Sequence, residues 1–178
     1  IITPSFNATE LEPKRHAVIL TIDSSGSMSW NASGASGVPV EDTRVYKAKQ
    51  ASKYFLDLLN LYHRGNATFG VVTFPGHPYI WPSSCANETT NVTYPLTIIN
   101  DSTNADANTT IETIIAEGGT PMKMGLTIAG DMLTNPAENK TIVLLTDGYH
   151  TCPINVSGYY DTWTNRTGVH LYFSNIIN

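Results

Sequence analysis

The chain has 178 residues and a mass of 19.4 kDa, enough for one domain with its own core and well above the roughly 70–80 residues below which a core needs covalent or metal staples. Ten Lys and Arg against fifteen Asp and Glu give a net charge of −5 and only 14% charged residues, where soluble domains average about 25%. That balance excludes a protein that holds nucleic acid electrostatically, because no basic stripe exists to displace counterions. No apolar run approaches the roughly 20 residues of a membrane span.

Some other group must therefore keep the surface solvated. Asn-x-Ser/Thr acceptors begin at Asn7, Asn31, Asn66, Asn87, Asn91, Asn100, Asn108, Asn139, Asn155 and Asn165, ten in all, where chance placement gives roughly three. The reading is an exported glycoprotein, extracellular or displayed at the cell surface, in which sugars supply the solvation that charges do not. The chain starts at Ile1 with no charged-then-apolar leader, so it reads as a processed or trimmed form. Its two cysteines, Cys85 and Cys152, allow one disulfide or two free thiols; export favours the oxidised pair, and their spacing suggests no zinc site.

Residues 1–15 carry Pro4 and Pro13 and read as an N-terminal arm, leaving 16–178 as the domain. Residues 16–22 are an apolar run suited to a strand buried on both faces. The polar cluster Asp23-Ser-Ser-Gly-Ser27 interrupts it, and residues 29–41 form a Gly- and Ser-rich surface excursion. From about Thr43 to His63, Val45, Ala48, Phe55, Leu59 and Tyr62 recur at helical spacing, with Ser52 the one polar place on that face. Residues 67–74 read as a second buried strand, 75–95 as loop, and 96–99 as a short edge strand. Thr109-Thr-Ile-Glu112 has capping-box spacing and predicts a helix with Ile111, Ile114 and Ile115 on its apolar face, ended by Gly118-Gly119. Thr120-Pro121 predicts the N-cap and first position of another helix, with Leu126, Ala129, Met132 and Leu133 buried. Residues 141–146 form a further buried strand before Asp147-Gly148, and 169–173 a last one.

Alternating strands and helices imply an α/β fold with an open, mostly parallel sheet and helices on both faces. Ligands then bind at the carboxyl ends of the strands, where Asp23, Ser25, Ser27, Thr120 and Asp147 all fall. Two carboxylates and three hydroxyls form an oxygen-only set of the kind that hard cations prefer, with Mg²⁺ foremost and Ca²⁺ or Mn²⁺ as substitutes. Taken singly, Ser25, Ser27 and Thr120 are ordinary turn and cap residues; the five together point to a metal.

The motif Asp23-Ser-Ser-Gly-Ser27 after a hydrophobic strand, Gly-Gly-Thr-Pro before a helix, and Leu-Leu-Thr-Asp-Gly closing a later strand resemble the metal-ion-dependent adhesion site of von Willebrand factor type A domains. The resemblance runs from Ala17 to about Phe173 and implies a Rossmann-like fold. It also implies that Ser25, Ser27 and Thr120 bind the ion through hydroxyls, with Asp23 and Asp147 direct or water-mediated and a partner's carboxylate completing the shell. Only 31 residues follow Asp147, so the C-terminal part reads as incomplete against the family pattern, with the arm or a neighbouring chain available to fill the sheet edge. In the family's strand order Cys85 and Cys152 follow strands on either side of the first, so a bridge would brace the metal face. Trp30, Trp81, Tyr149 and His150 belong to its rim, and His77 and His150 read as surface residues.

No nucleophile-and-base context accompanies Ser25 or Ser27, so no catalytic residue and no enzyme is expected. The leading expectation is an adhesion or recognition domain that takes an acidic side chain of a protein ligand through its cation. The alternative is a structural subunit of a surface filament, pilus or layer that self-assembles through the metal or the sheet edge.

Overall fold

A computed structural model describes residues 14–75, 90–136, 138–147 and 169–175, the last stretch as backbone. The expectations for the arm up to residue 13, for Cys85 and Cys152, for Asn7, Asn87, Asn155 and Asn165, and for His77, Trp81, Tyr149 and His150 lie outside the described residues.

Five strands, β1 (His16–Asp23), β2 (Ala67–Phe74), β3 (Asn91–Ile98), β4 (Asn139–Thr146) and β5 (Val169–Asn175), form one sheet in the order β3-β2-β1-β4-β5. β1 is parallel to β2 and β4, and β4 is parallel to β5, while β3 runs antiparallel to β2. This is the open, mostly parallel α/β sheet that the alternating pattern implied. β2 is buried at every position and β1 at all but His16, which is why both read as unbroken apolar runs.

The two-residue period of β1 divides the core between two layers. Val18, Leu20 and Ile22 pack with Val45, Ala48, Leu56 and Leu59 of α1 (Arg44–His63) and with Ala107 and Ile111 of α2 (Asp101–Glu112). Ala17 and Ile19 pack on the opposite face with Ala129 of α3 (Met122–Met132), Leu133 and Ile142. Thr43 caps α1, its hydroxyl accepting from the Tyr46 N–H.

The structure corrects the sequence reading at four places. β3 begins at Asn91 and runs through Pro95, inside what reads as loop; as an edge strand it tolerates a proline whose missing N–H owes nothing to the ladder. α2 ends where its start was expected. Its capping box is Asn100 with Thr103, each side chain bonding the other's backbone N–H. The segment's apolar stripe is short, Ala107 and Ile111, and α1 with its C-cap Arg64 supplements it: Asn104 and Asn108 donate to Asp57, and ion pairs join Lys53 to Glu112 and Arg64 to Asp101. Ile115, expected on that helix's apolar face, lies beyond its end and is exposed. α3 starts one residue late, with Pro121 at the cap, so Thr120 does not cap it. On α1, Leu56 takes the buried place and Tyr62 is 72% exposed, because the last turn, with Leu61 and His63, runs past the core.

Gly125 lets α3 approach the sheet. A Cβ there would stand 2.5 Å from Cδ1 of Phe74, a ring with no exposure of its own. Gly125→Ala is therefore expected to destabilise the fold by about 1–3 kcal/mol, read as a lower denaturant midpoint at unchanged slope; an unchanged midpoint would refute this account of the packing.

Candidate metal centre

The five candidate residues arrive from three loops at the carboxyl ends of β1 and β4. Asp23 is the last residue of β1, the central strand, and has no solvent exposure. Its Oδ1 accepts the Ser25 N–H at 2.8 Å and its Oδ2 accepts the Thr146 hydroxyl at 2.7 Å. Burial pushes its carboxyl up to about 6 from the ordinary value of 3.8; the bonds from Ser25 and Thr146 oppose this, and repulsion from Asp147 adds to it.

The following residues turn through a short 3₁₀ helix, Gly26–Ser29, which places the hydroxyls of Ser25 and Ser27 3.1 Å apart. Asp147 follows β4. Its Oδ2 is held by the Arg44 guanidinium at 2.7 Å, while its Oδ1 is buried and has no hydrogen-bond partner among the described residues. The same Arg44 nitrogen donates to the Ser27 carbonyl at 3.4 Å, tying the Asp147 loop to the Ser27 loop.

Thr120 comes from the third loop and is buried immediately before α3. Two backbone bonds fasten that loop to the first: Gly26 N–H to the Gly118 carbonyl at 2.9 Å, and Glu117 N–H to the Ser24 carbonyl at 2.8 Å. Gly118 has φ of 81°, a conformation that glycine adopts without the cost a side chain brings. Ser24 secures the assembly to β2, its N–H donating to Phe74 O at 2.8 Å and its hydroxyl to Pro75 O at 2.9 Å. Trp30, 41% exposed, lies at the rim, its carbonyl accepting the Arg44 N–H at 2.9 Å.

Among the described residues no three His, Cys, Asp or Glu side chains converge on one point. A cation here would instead be held by a mixed set of hydroxyls and carboxylates. The residues fit such an ion in three respects: the donors are all oxygen, Asp147 Oδ1 is buried without a partner, and two carboxylates lie close enough to repel. Arg44, Thr146 and the Glu117–Gly118 backbone are parts of the site that the sequence reading missed. Thr146 and Gly118 stood inside the quoted motifs without an assigned role, and Arg44 carried a signal as a cation at a helix start where acidic residues are favoured.

A family model described as von Willebrand factor type A domain matches residues 18–150. Among solved structures, the chain is similar to a von Willebrand factor type A protein from Catenulispora acidiphila, with 24% identity over 90% of this chain and 33% of that one and a TM-score of 0.65. It is also similar to the pilus adhesin SpaC from Lactobacillus rhamnosus GG, with 26% identity over 78% and 16% of the two chains and a TM-score of 0.59. A D319A mutant of the PilB minor pilin from Streptococcus sanguinis shows 24% identity over 78% and 31%, with a TM-score of 0.60. The chain thus spans a third or less of the length of each of these three proteins. No curated protein sequence is close enough to this one to be matched. With the family model covering most of the chain and the site loops falling within it, the chain belongs to the von Willebrand factor type A domain family.

Proposed function

We propose that this domain is an extracellular or cell-surface recognition module that takes an acidic side chain of a protein partner through a divalent cation, Mg²⁺ first and Ca²⁺ or Mn²⁺ in its place. The observation that carries the reading is the buried, unpartnered Oδ1 of Asp147 beside a second buried carboxylate, Asp23, and the paired hydroxyls of Ser25 and Ser27. Ser25, Ser27 and Thr120 would hold the ion through hydroxyls, with Asp23 and Asp147 direct or through water. When bound, the cation supplies a Lewis-acidic position and the positive charge that an otherwise negative edge lacks. The protein supplies a set of ligands fastened in advance by backbone bonds between the loops.

The likeness to a pilus adhesin supports a surface role, and self-assembly into a filament or layer is the second reading. Sugars fit the first reading at Asn66, just before β2, and Asn139, the first residue of β4, both exposed and level with the start of β1, the opposite end from Asp23. Asn108 instead spends its amide on Asp57, and we assign no sugar there in the folded protein.

Three outcomes are expected. Calorimetry on chelator-stripped protein should show saturable Mg²⁺ binding that Ser27→Ala or Thr120→Ala weakens at least roughly tenfold, about 1.4 kcal/mol; absence of saturable Mg²⁺, Mn²⁺ and Ca²⁺ binding would refute the metal reading. The folded pKa of Asp23 lies above its unfolded one, so the metal-free protein binds the extra proton in its folded state between about pH 4 and 6. Stability should therefore fall as pH rises through that window, by up to about 3 kcal/mol, relative to Asp23→Asn. A wild-type protein whose pH profile parallels that of Asp23→Asn would contradict the buried charge. Finally, mass spectrometry of protein secreted from a glycosylating host should find sugars at Asn66 and Asn139 and none at Asn108, and the reverse pattern would sink the assignment.

A further inference from the structure

α1 opens with a residue that local rules disfavour. Arg44 occupies its first helical position, where the exposed N–H groups and the macrodipole favour an anion, and the first turn contains no acidic residue. A local rule broken in this way is usually compensated elsewhere, and here the compensation comes from a residue 103 positions away. The guanidinium bonds Asp147 Oδ2 at 2.7 Å with side-chain exposures of 16% and 6%, and it reaches the Ser27 carbonyl from the same nitrogen. One oxygen of Asp147 is thus consumed and the other, Oδ1, is left buried and without a partner among the described residues.

We infer that Arg44 is the charge-setting, positioning residue of the metal centre. It fixes Asp147 through Oδ2 so that Oδ1 stays available, and it returns one of the two negative charges that Asp23 and Asp147 bring. The protein's own groups at the site then carry a single negative charge, so a dication leaves the centre singly positive. Without Arg44 the loaded centre would be neutral. The consequence is a trade: a fixed cation beside the site weakens metal binding and strengthens the capture of a carboxylate by the bound metal. The inference rests on the metal reading above, and it assigns to this chain a residue outside the five-residue motif.

The test uses the full chain, stripped with chelator, as wild type, Arg44→Gln and Arg44→Lys. Mn²⁺ affinity is read by calorimetry and by the electron paramagnetic resonance signal of free Mn²⁺. Carboxylate capture is read as the acetate concentration that halves the water-proton relaxation enhancement of bound Mn²⁺. Charge setting predicts that Arg44→Gln binds Mn²⁺ roughly tenfold more tightly and needs several-fold more acetate, while Arg44→Lys stays near wild type in both. A residue that merely braced the loops would give the opposite sign, because loosening Asp147 weakens metal binding. Weaker or unchanged Mn²⁺ binding in a folded Arg44→Gln protein therefore overturns the inference and leaves the metal reading intact. Should Arg44→Gln fail to fold, Arg44→Lys decides: retained Mn²⁺ affinity supports charge setting, and a loss as large as that of Thr120→Ala overturns it. Absence of Mn²⁺ binding by the wild type removes both readings together.

Discussion

A carboxylate with no solvent exposure closes the central strand of this sheet, and the arrangement around it follows from the cost of placing it there. Two hydrogen bonds, from the Ser25 N–H and the Thr146 hydroxyl, occupy both oxygens of Asp23 and still leave its carboxyl pushed up to about 6, because burial outweighs them. The site adds a second carboxylate, Asp147, which raises the cost further, and then one guanidinium that offsets part of it. A folded protein tolerates such a concentration of unbalanced charge at the expense of stability, as sites that must bind something commonly do.

The surrounding loops are well supplied with backbone bonds. Ser24 ties β1 to the end of β2, and Gly26 and Glu117 tie the first loop to the one that carries Thr120. Arg44 tethers the Asp147 loop to Ser27. Donors of a small hard cation must be held at fixed separation, so under the proposed function this network would lower the ordering cost of binding. The two helical layers hold the sheet that holds the loops, and the tight contact of Gly125 against Phe74 links α3 to the strand whose end anchors Ser24.

Much of this was legible in the sequence, and the pattern of what was not is informative. β1, β2 and β4 stand out because strands buried on both faces need nearly continuous apolar residues, and β2 matches its reading from Ala67 to Phe74. The five candidate ligands were found from chemistry that survives without coordinates, two Asp and three hydroxyl residues each at the end of such a strand or the start of a helix. β3 and α2 resisted the same reading. β3 carries a proline and polar residues that only an edge position permits. α2 is a polar segment whose helix depends on an Asn100–Thr103 cap and on α1 side chains reached across more than 35 positions.

The sequence by itself determined the fold class, the buried strands, the positions of the candidate ligands and the low surface charge, since each depends on local composition and period. The tertiary structure alone decided how the ligands are balanced. That Arg44 answers Asp147, that Thr146 answers Asp23, and that Asp147 Oδ1 is buried without a partner among the described residues are relations between residues as many as 123 positions apart. No local pattern encodes them, because the energy of a buried charge is set by whatever the folded chain brings within a few ångströms of it.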